Sequence, residues 1–292
     1  MQPSIQVQSF ELTALDMRDV DVGLLNTLTL AVGWPHRRED LEFLIRAGRG
    51  IVAVDGIGRV FGSAMWFEQG DALVTVGLVV TTPRTQAKGT ARWLMKQVFE
   101  QCGGKRLVLN STRAAFRLYS SLDFETEARV FQYQGIVDAC PPPLPPVEGE
   151  VTHLTNPPLD RLASLDVRAF GADRREMLAL LAEKAEINGL ERDGELIGYA
   201  ICREFGQGHV IGPIVARSDG DAVHLAASHL RGLVGRFARI DTREPKGVFV
   251  DLLLQSGFKH YDTMTTMSRG GRFLNHQPGE PWVYGLAGHA LS

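Results

Sequence analysis

The sequence predicts an α/β protein of two tandem domains, each a mixed, twisted sheet flanked by helices. Three observations predict it: a proline run at mid-chain, matched landmarks on either side of the run, and one order of periodicities in both halves. The run is Pro141-Pro142-Pro143-Leu144-Pro145-Pro146, which can continue neither a helix nor a central strand and favours a stiff, extended connector. The chain's 292 residues exceed the ~100–150 that one core usually fills. The expected division is therefore 1–140, a linker at 141–146, and 147–292.

The landmarks repeat in spacing more than in letters. Asp55-Gly56, Phe61-Gly62-Ser63-Ala64, Gly77-Leu78-Val79-Val80 and Leu122-Asp123-Phe124 answer to Asp193-Gly194, Ile197-Gly198-Tyr199-Ala200, Gly212-Pro213-Ile214-Val215 and Ser256-Gly257-Phe258. Gly62 and Gly77 are 15 residues apart, Gly198 and Gly212 14; Gly77 to Phe124 is 47 and Gly212 to Phe258 is 46. Each half opens with helical patterns, over 21–32 and 38–47 in the first and 158–170 and 174–185 in the second. In the first half a hairpin follows, 50–54 and 59–67 around an Asp-Gly turn, because β-formers alternate between glycines. A third strand at 72–80 leads to a helix over 89–102, where Ala91, Leu94, Met95, Val98 and Cys102 fall at helical spacing. A strand at 106–109, a helix at 112–122 and a strand at 127–135 complete the half.

Composition excludes several functions. With 31 basic and 34 acidic residues, and no basic surplus in either half, the chain lacks the charge that holds nucleic acid. No apolar run approaches the ~20 residues of a membrane helix. The polar N-terminus lacks a secretion pattern, so the cytoplasm is the expected compartment. Three widely spaced cysteines suit neither a disulfide framework nor a metal site, and no metal is expected.

Chemistry concentrates in Val80-Thr81-Thr82-Pro83-Arg84-Thr85-Gln86-Ala87-Lys88-Gly89-Thr90-Ala91. A strand ends, a polar turn follows, and a helix opens with small residues at Gly89 and Ala91. Small side chains let an anion approach the free N–H groups and positive dipole end of a helix N-terminus, and Lys88 adds charge there. A diphosphate is the natural guest.

Gln86-x-x-Gly89-x-Ala91 resembles the pyrophosphate-binding motif of the GNAT N-acetyltransferases. Ala115-x-x-Leu118-Tyr119-x-x-x-Asp123-Phe124 resembles a second segment of that family, with Asp123 for the usual Gly and Thr112 where many members carry Asn. The resemblance implies acetyl-CoA as acyl donor. Leu78, Val79 and Val80 on a splayed strand would bind the pantetheine arm. Gln86, Ala87, Lys88, Gly89, Thr90 and Ala91 would bind the diphosphate, and Thr112 is counted with the cofactor-binding residues. Tyr119 would be the general acid that protonates the leaving thiolate. Trp34, His36, Trp66 and Glu68 are the candidates for the acceptor site, since aromatic groups give shape and a cation-friendly face.

The second half fails the same test. Arg217-Ser218-Asp219-Gly220-Asp221-Ala222 follows its strand, so two aspartates stand where a diphosphate would bind. Leu253 occupies the place of Tyr119, and the half reads as a degenerate, non-catalytic copy. The aromatic tail Pro281-Trp282-Val283-Tyr284-Gly285 reads as packing. The expected function is transfer of an acetyl group to a small-molecule amine by direct attack in a ternary complex, in a monomer or homodimer. An acyl-CoA sensor without turnover and a protein-lysine acetyltransferase are the alternatives.

Overall fold

The computed structural model of the chain describes residues 3–7, 10–83, 86, 88–138, 140–275 and 277–291. Contacts divide it into two units, Met1–Leu109 and Asn110–Ser292. In the first unit the strands run in the order β1 (Ser4–Val7), β2 (Phe10–Asp16), β3 (Arg49–Asp55), β4 (Val60–Gln69), β5 (Leu73–Thr81) and β6 (Arg106–Ser111). Neighbours are antiparallel except β5 and β6, which are parallel and therefore need a crossover. That crossover is α3 (Thr90–Cys102), while α1 (Val22–Ala31) and α2 (Arg38–Ala47) lie between β2 and β3 in sequence. The apolar stripe of α3 buries Leu94, Met95, Val98 and Cys102, as its spacing requires, and Trp93 with them. Burial pushes the Cys102 thiol up to about 11, so it is an inert core residue.

The second unit begins with α4 (Phe116–Ser120) and β7 (Glu125–Ile136). It continues through β8 (Glu150–His153), α5 (Leu159–Phe170), α6 (Arg175–Ala182), β9 (Glu186–Arg192), β10 (Glu195–Phe205) and β11 (Gly208–Ala216). Then come α7 (Asp219–Gly232), β12 (Phe237–Thr242), α8 (Val248–Gln255), β13 (Lys259–Arg269) and β14 (Trp282–Gly285). Its sheet has the order β13-β7-β12-β11-β10-β9-β8, with β14 added to β11. Neighbouring residues on β10 point to opposite faces. Gly198 faces Leu225 of α7 and Tyr199 bonds Asp166 of α5, so both faces of this sheet are covered.

Packing and repeat do not share a boundary. β7 precedes the proline run in sequence, yet it is hydrogen-bonded between β12 and β13. A strand with two such neighbours belongs to their sheet, so the packing boundary falls at Leu109/Asn110. The division at 141–146 remains our proposal for where one copy of the repeat ends and the next begins.

The repeat itself has a structural cause. A side chain at Gly62 would place a Cβ 2.8 Å from the Val80 carbonyl oxygen, and one at Gly198 would lie 3.0 Å from that of Val215. Glycine is demanded in both halves because a neighbouring backbone comes that close. The Asp-Gly turns differ. Asp193 and Gly194 both have positive φ in a two-residue turn, whereas Asp55 pairs Arg59 around a three-residue loop whose left-handed residue is Gly58.

Two four-residue strands, β1 and β8, are too short for alternation to predict them, while β2 does alternate over Phe10, Leu12 and Ala14 and was missed. The helix expected over 112–122 contracts to Phe116–Ser120, because Thr112 turns the chain first: its Oγ1 accepts from the Ala115 amide at 3.3 Å. Just after it, Asp123 takes φ 64°, as Gly257 takes φ 94° at the matching place. Aspartate tolerates this region better than most residues, which is why the exchange for glycine is accommodated. Asp123→Val should lower stability by about 1–2 kcal/mol, while Asp123→Gly should leave it unchanged or raise it, read from denaturant midpoints at constant slope.

Candidate functional site

The first unit builds a slot between two parallel strands and a helix end above it. β5 pairs with β6 only from Leu73 to Val76, and Gly77–Thr81 continue without β6 as a neighbour among the described residues. On its other side β5 carries a one-residue bulge: Val80 faces Ser63, but Gly77 already faces Met65, so Leu78 and Val79 together oppose Ala64. Leu78 takes φ 49°, and the buried Ser63 hydroxyl donates to its carbonyl at 2.9 Å, fixing the bulge. Ser63 was missed in the sequence; its signal is a lone hydroxyl within the apolar run 60–67 of β4. Leu78 and Val80 are buried, and the strand's backbone groups beyond Val76 need partners.

Above the slot, α3 begins at Gly89, whose φ is 92° and which leaves open space where a Cβ would stand. No side chain caps the helix, so its first-turn N–H groups are left for a ligand. Gln86 and Lys88 are exposed beside it, and Ala91 is half-buried. Thr90 is fully buried, with an Oγ1 that has no hydrogen-bond partner. Ala87, like Arg84 and Thr85, lies outside the described residues. An uncapped helix end, a glycine cradle and an orphaned hydroxyl together suit a diphosphate.

In the second unit the same parts are present and closed. β11 pairs with β12 only at His209 and Val210 and carries the same one-residue slip against β10, between Ala200 and Cys202. Here β14 occupies the far end of β11, setting Gly285, Val283 and Trp282 opposite Ile214, Val215 and Ala216. Ser218 caps α7 by accepting from the Asp221 amide at 3.2 Å. Tyr284 reaches from β14 to donate to Asp219 at 2.7 Å, and Arg192 pairs Asp221 at 3.3 Å. The helix end that could hold an anion is capped, acidic and covered. The aromatic tail packs, as the sequence suggested, and it packs in the position that the first unit leaves open.

The second unit also holds the tyrosine motif. Tyr119 is buried, with its ring edge-on to Phe124 at 5.7 Å, and its carbonyl accepts from the Leu122 and Phe124 amides. Leu253 accepts from the Phe258 amide in the same way, which fixes the equivalence of the two positions. Burial raises the Tyr119 phenol above its ordinary value, so it stays protonated throughout the neutral range.

A family model of a GNAT acetyltransferase domain matches residues 43–139, and a second GNAT acetyltransferase model matches 162–283, together about three quarters of the chain. The chain belongs to the GNAT acetyltransferase family. It is 26% identical over 234 residues to the uncharacterized N-acetyltransferase YitH of Bacillus subtilis, covering 79% of this chain and 82% of that one. Its fold is similar to that of a putative acetyltransferase from Pyrococcus horikoshii, with TM-score 0.80 and 18% identity over 100% of this chain and 99% of the other. It is similar also to a tandem GNAT protein from the clavulanic acid biosynthesis pathway, with TM-score 0.63 and 17% identity over 89% and 99% of the two chains.

The remaining GNAT candidates are not all brought together. Trp34 and His36 are half-buried on the connection between α1 and α2, with rings 6.0 Å apart, and Asn26 donates to the His36 carbonyl at 2.6 Å. Trp66 is buried between Arg49 of β3 and Val76 of β5 in register. Glu68 faces Val74, six residues before Val80 on β5, which is about 20 Å at strand rise. It is bonded to Lys105 at 2.9 Å, and that bond holds its carboxyl below the usual range. A carboxylate held anionic by lysine is a weak base for an ammonium group. The Thr112 hydroxyl accepts the turn bond from the Ala115 amide, which leaves its O–H free to donate. Among the described residues, no three His, Cys, Asp or Glu side chains are grouped to hold a metal, and no helix is long and apolar enough to cross a membrane.

The contrast between the α3 and α7 N-termini predicts one CoA per chain. Titration calorimetry of the full chain should give a stoichiometry near one, and Gly89→Glu should abolish the binding. Two sites in the parent, or undiminished binding in Gly89→Glu, would place the cofactor elsewhere.

Proposed function

We propose that the chain is a cytoplasmic N-acetyltransferase that moves the acetyl group of acetyl-CoA directly to the amine of a small-molecule acceptor. The observation that carries the reading is the uncapped Gly89 end of α3 above the unpaired stretch of β5, set against its closed counterpart. The α3 amides, with Gln86, Lys88 and the Thr90 hydroxyl, would hold the diphosphate. The backbone of Leu78, Val79 and Val80 would bind the amide groups of the pantetheine arm as a further strand would.

The chemistry then needs one proton on each side. The acceptor nitrogen attacks the thioester carbonyl and gives up its proton to solvent water, the C–S bond breaks, and the departing thiolate takes a proton from an acid that water then reprotonates. Tyr119 is the proposed acid, on its match to the family motif. Burial keeps the phenol protonated at neutral pH and also makes it a weaker acid, so the role rests on the motif match. Trp34 and His36 are proposed to line the acceptor amine, presenting two aromatic rings on a connection that Asn26 holds in place.

Tyr119→Phe removes the proton and keeps most of the ring packing. Loss of a positioned general acid costs ~10²–10⁴-fold, so kcat should fall at least about tenfold while CoA affinity is unchanged. Because burial lifts the phenol, the parent should show no alkaline limb from Tyr119 below pH ~10. A kcat equal to the parent's would reduce Tyr119 to packing.

A further inference from the structure

A buried cationic cluster in the second unit is used by no step of acetyl transfer. Asp166 on α5 and Arg174, just before α6, are both fully buried. The guanidinium grips the carboxylate at two points, Nε to Oδ2 at 2.8 Å and Nη2 to Oδ1 at 2.6 Å. Tyr199 on β10 donates its hydroxyl to the same Oδ1. The charge of Arg174 is thereby balanced, but its hydrogen bonds are not, because Nη1 is buried with no partner.

Aromatic rings link this guanidinium to a second one. Arg174 lies over Phe170 at 3.6 Å, Phe170 meets Phe273 edge-on at 5.1 Å, and Arg243 lies over Phe273 at 5.8 Å. Arg243 is only 8% exposed. Its Nε donates to the Thr266 hydroxyl at 3.3 Å, and its Nη2 is buried and unpartnered. Among the described residues, no carboxylate forms an ion pair with it. Glu127 acts on it through space, yet both Glu127 oxygens are occupied by the Phe273 and Leu274 amides, at 2.6 Å each. Burial and the like charge of Arg174 push Arg243 down to about 10, which leaves it cationic at neutral pH.

A buried guanidinium without a counter-ion is costly, and buried N–H groups without acceptors are rare. Two such groups on neighbouring guanidiniums define what is missing: an acceptor that carries negative charge. Asp166 already balances Arg174, and Glu127 reaches Arg243 only through space, with its oxygens turned to the Phe273 and Leu274 amides. What is missing is therefore a direct acceptor for the two N–H groups, which a monoanion supplies with less excess charge than a dianion. We propose that Arg174 Nη1 and Arg243 Nη2 bind the carboxylate of a small molecule whose carbon body lies against Phe170 and Phe273. The shared chemistry is a monocarboxylate, whether it belongs to the acetyl acceptor or to a separate effector.

The test uses the full chain and three probes: phenylacetate, its neutral amide phenylacetamide, and phenyl phosphate. Phenylacetate should raise the melting temperature saturably and bind at least tenfold more tightly than the amide. Arg243→Met should lose at least tenfold of that affinity while its melting temperature without ligand equals or exceeds the parent's. A merely structural arginine would instead destabilise the protein when removed. Should Arg243→Met fail to fold, Arg243→Lys keeps the charge but not the planar donors, and should bind phenylacetate at least threefold more weakly. Equal binding of acid and amide, no binding of either, preference for phenyl phosphate, or undiminished binding in the variants would overturn the assignment. Acetylation of phenylalanine against phenethylamine separates the sources. A preference for the acid that Arg243→Met removes places the carboxylate on the acceptor. An unchanged rate ratio, with the binding loss intact, places it on an effector.

Discussion

Two parallel strands that part company govern this molecule. β5 runs beside β6 for four residues, then continues from Gly77 to Thr81 without it. The cause is local: a one-residue bulge at Leu78, locked by the Ser63 hydroxyl, turns the strand away. A strand left with backbone donors and acceptors on one edge must find partners for them, and each is worth about 0.5–1.5 kcal/mol once made. That requirement makes the stretch a binding edge, and the helix that follows it brings an uncapped N-terminus to the same place.

The second unit solves the same problem from its own sequence. Its β11 carries the same slip and leaves β12 after Val210, and a later segment returns as β14 to pair with the exposed edge. Tyr284 then bonds the aspartate that begins α7, so the one segment satisfies the strand and covers the helix end. One copy of the repeat is completed by the protein, and the other keeps the open edge that we propose binds the cofactor. Leu253 stands at the position that matches Tyr119, the acid we propose for the open copy.

Much of this was legible in the residues. Gly62 and Gly198 are forced by a neighbouring carbonyl, Gly89 by a positive φ, and the apolar stripe of α3 by the sheet beneath it, so each leaves a mark in the letters. Other features leave none. The pairing of β7 with β12 and β13 depends on strands more than 100 residues away in sequence, which no local pattern encodes. β1 and β8 are four residues each, too short for alternation to register. The lysine partner of Glu68 lies 37 residues on, and only the fold brings the two together. Arg174 and Arg243 read as surface cations by type, and their burial comes from tertiary packing alone.

Hydrogen–deuterium exchange of the full chain with and without CoA tests the central claim, that the open edge of β5 and the α3 N-terminus form the cofactor site and that their counterparts do not. CoA should slow exchange across residues 77–92 and leave 212–222 and 282–285 unchanged. Protection of 212–222, or none across 77–92, would contradict it.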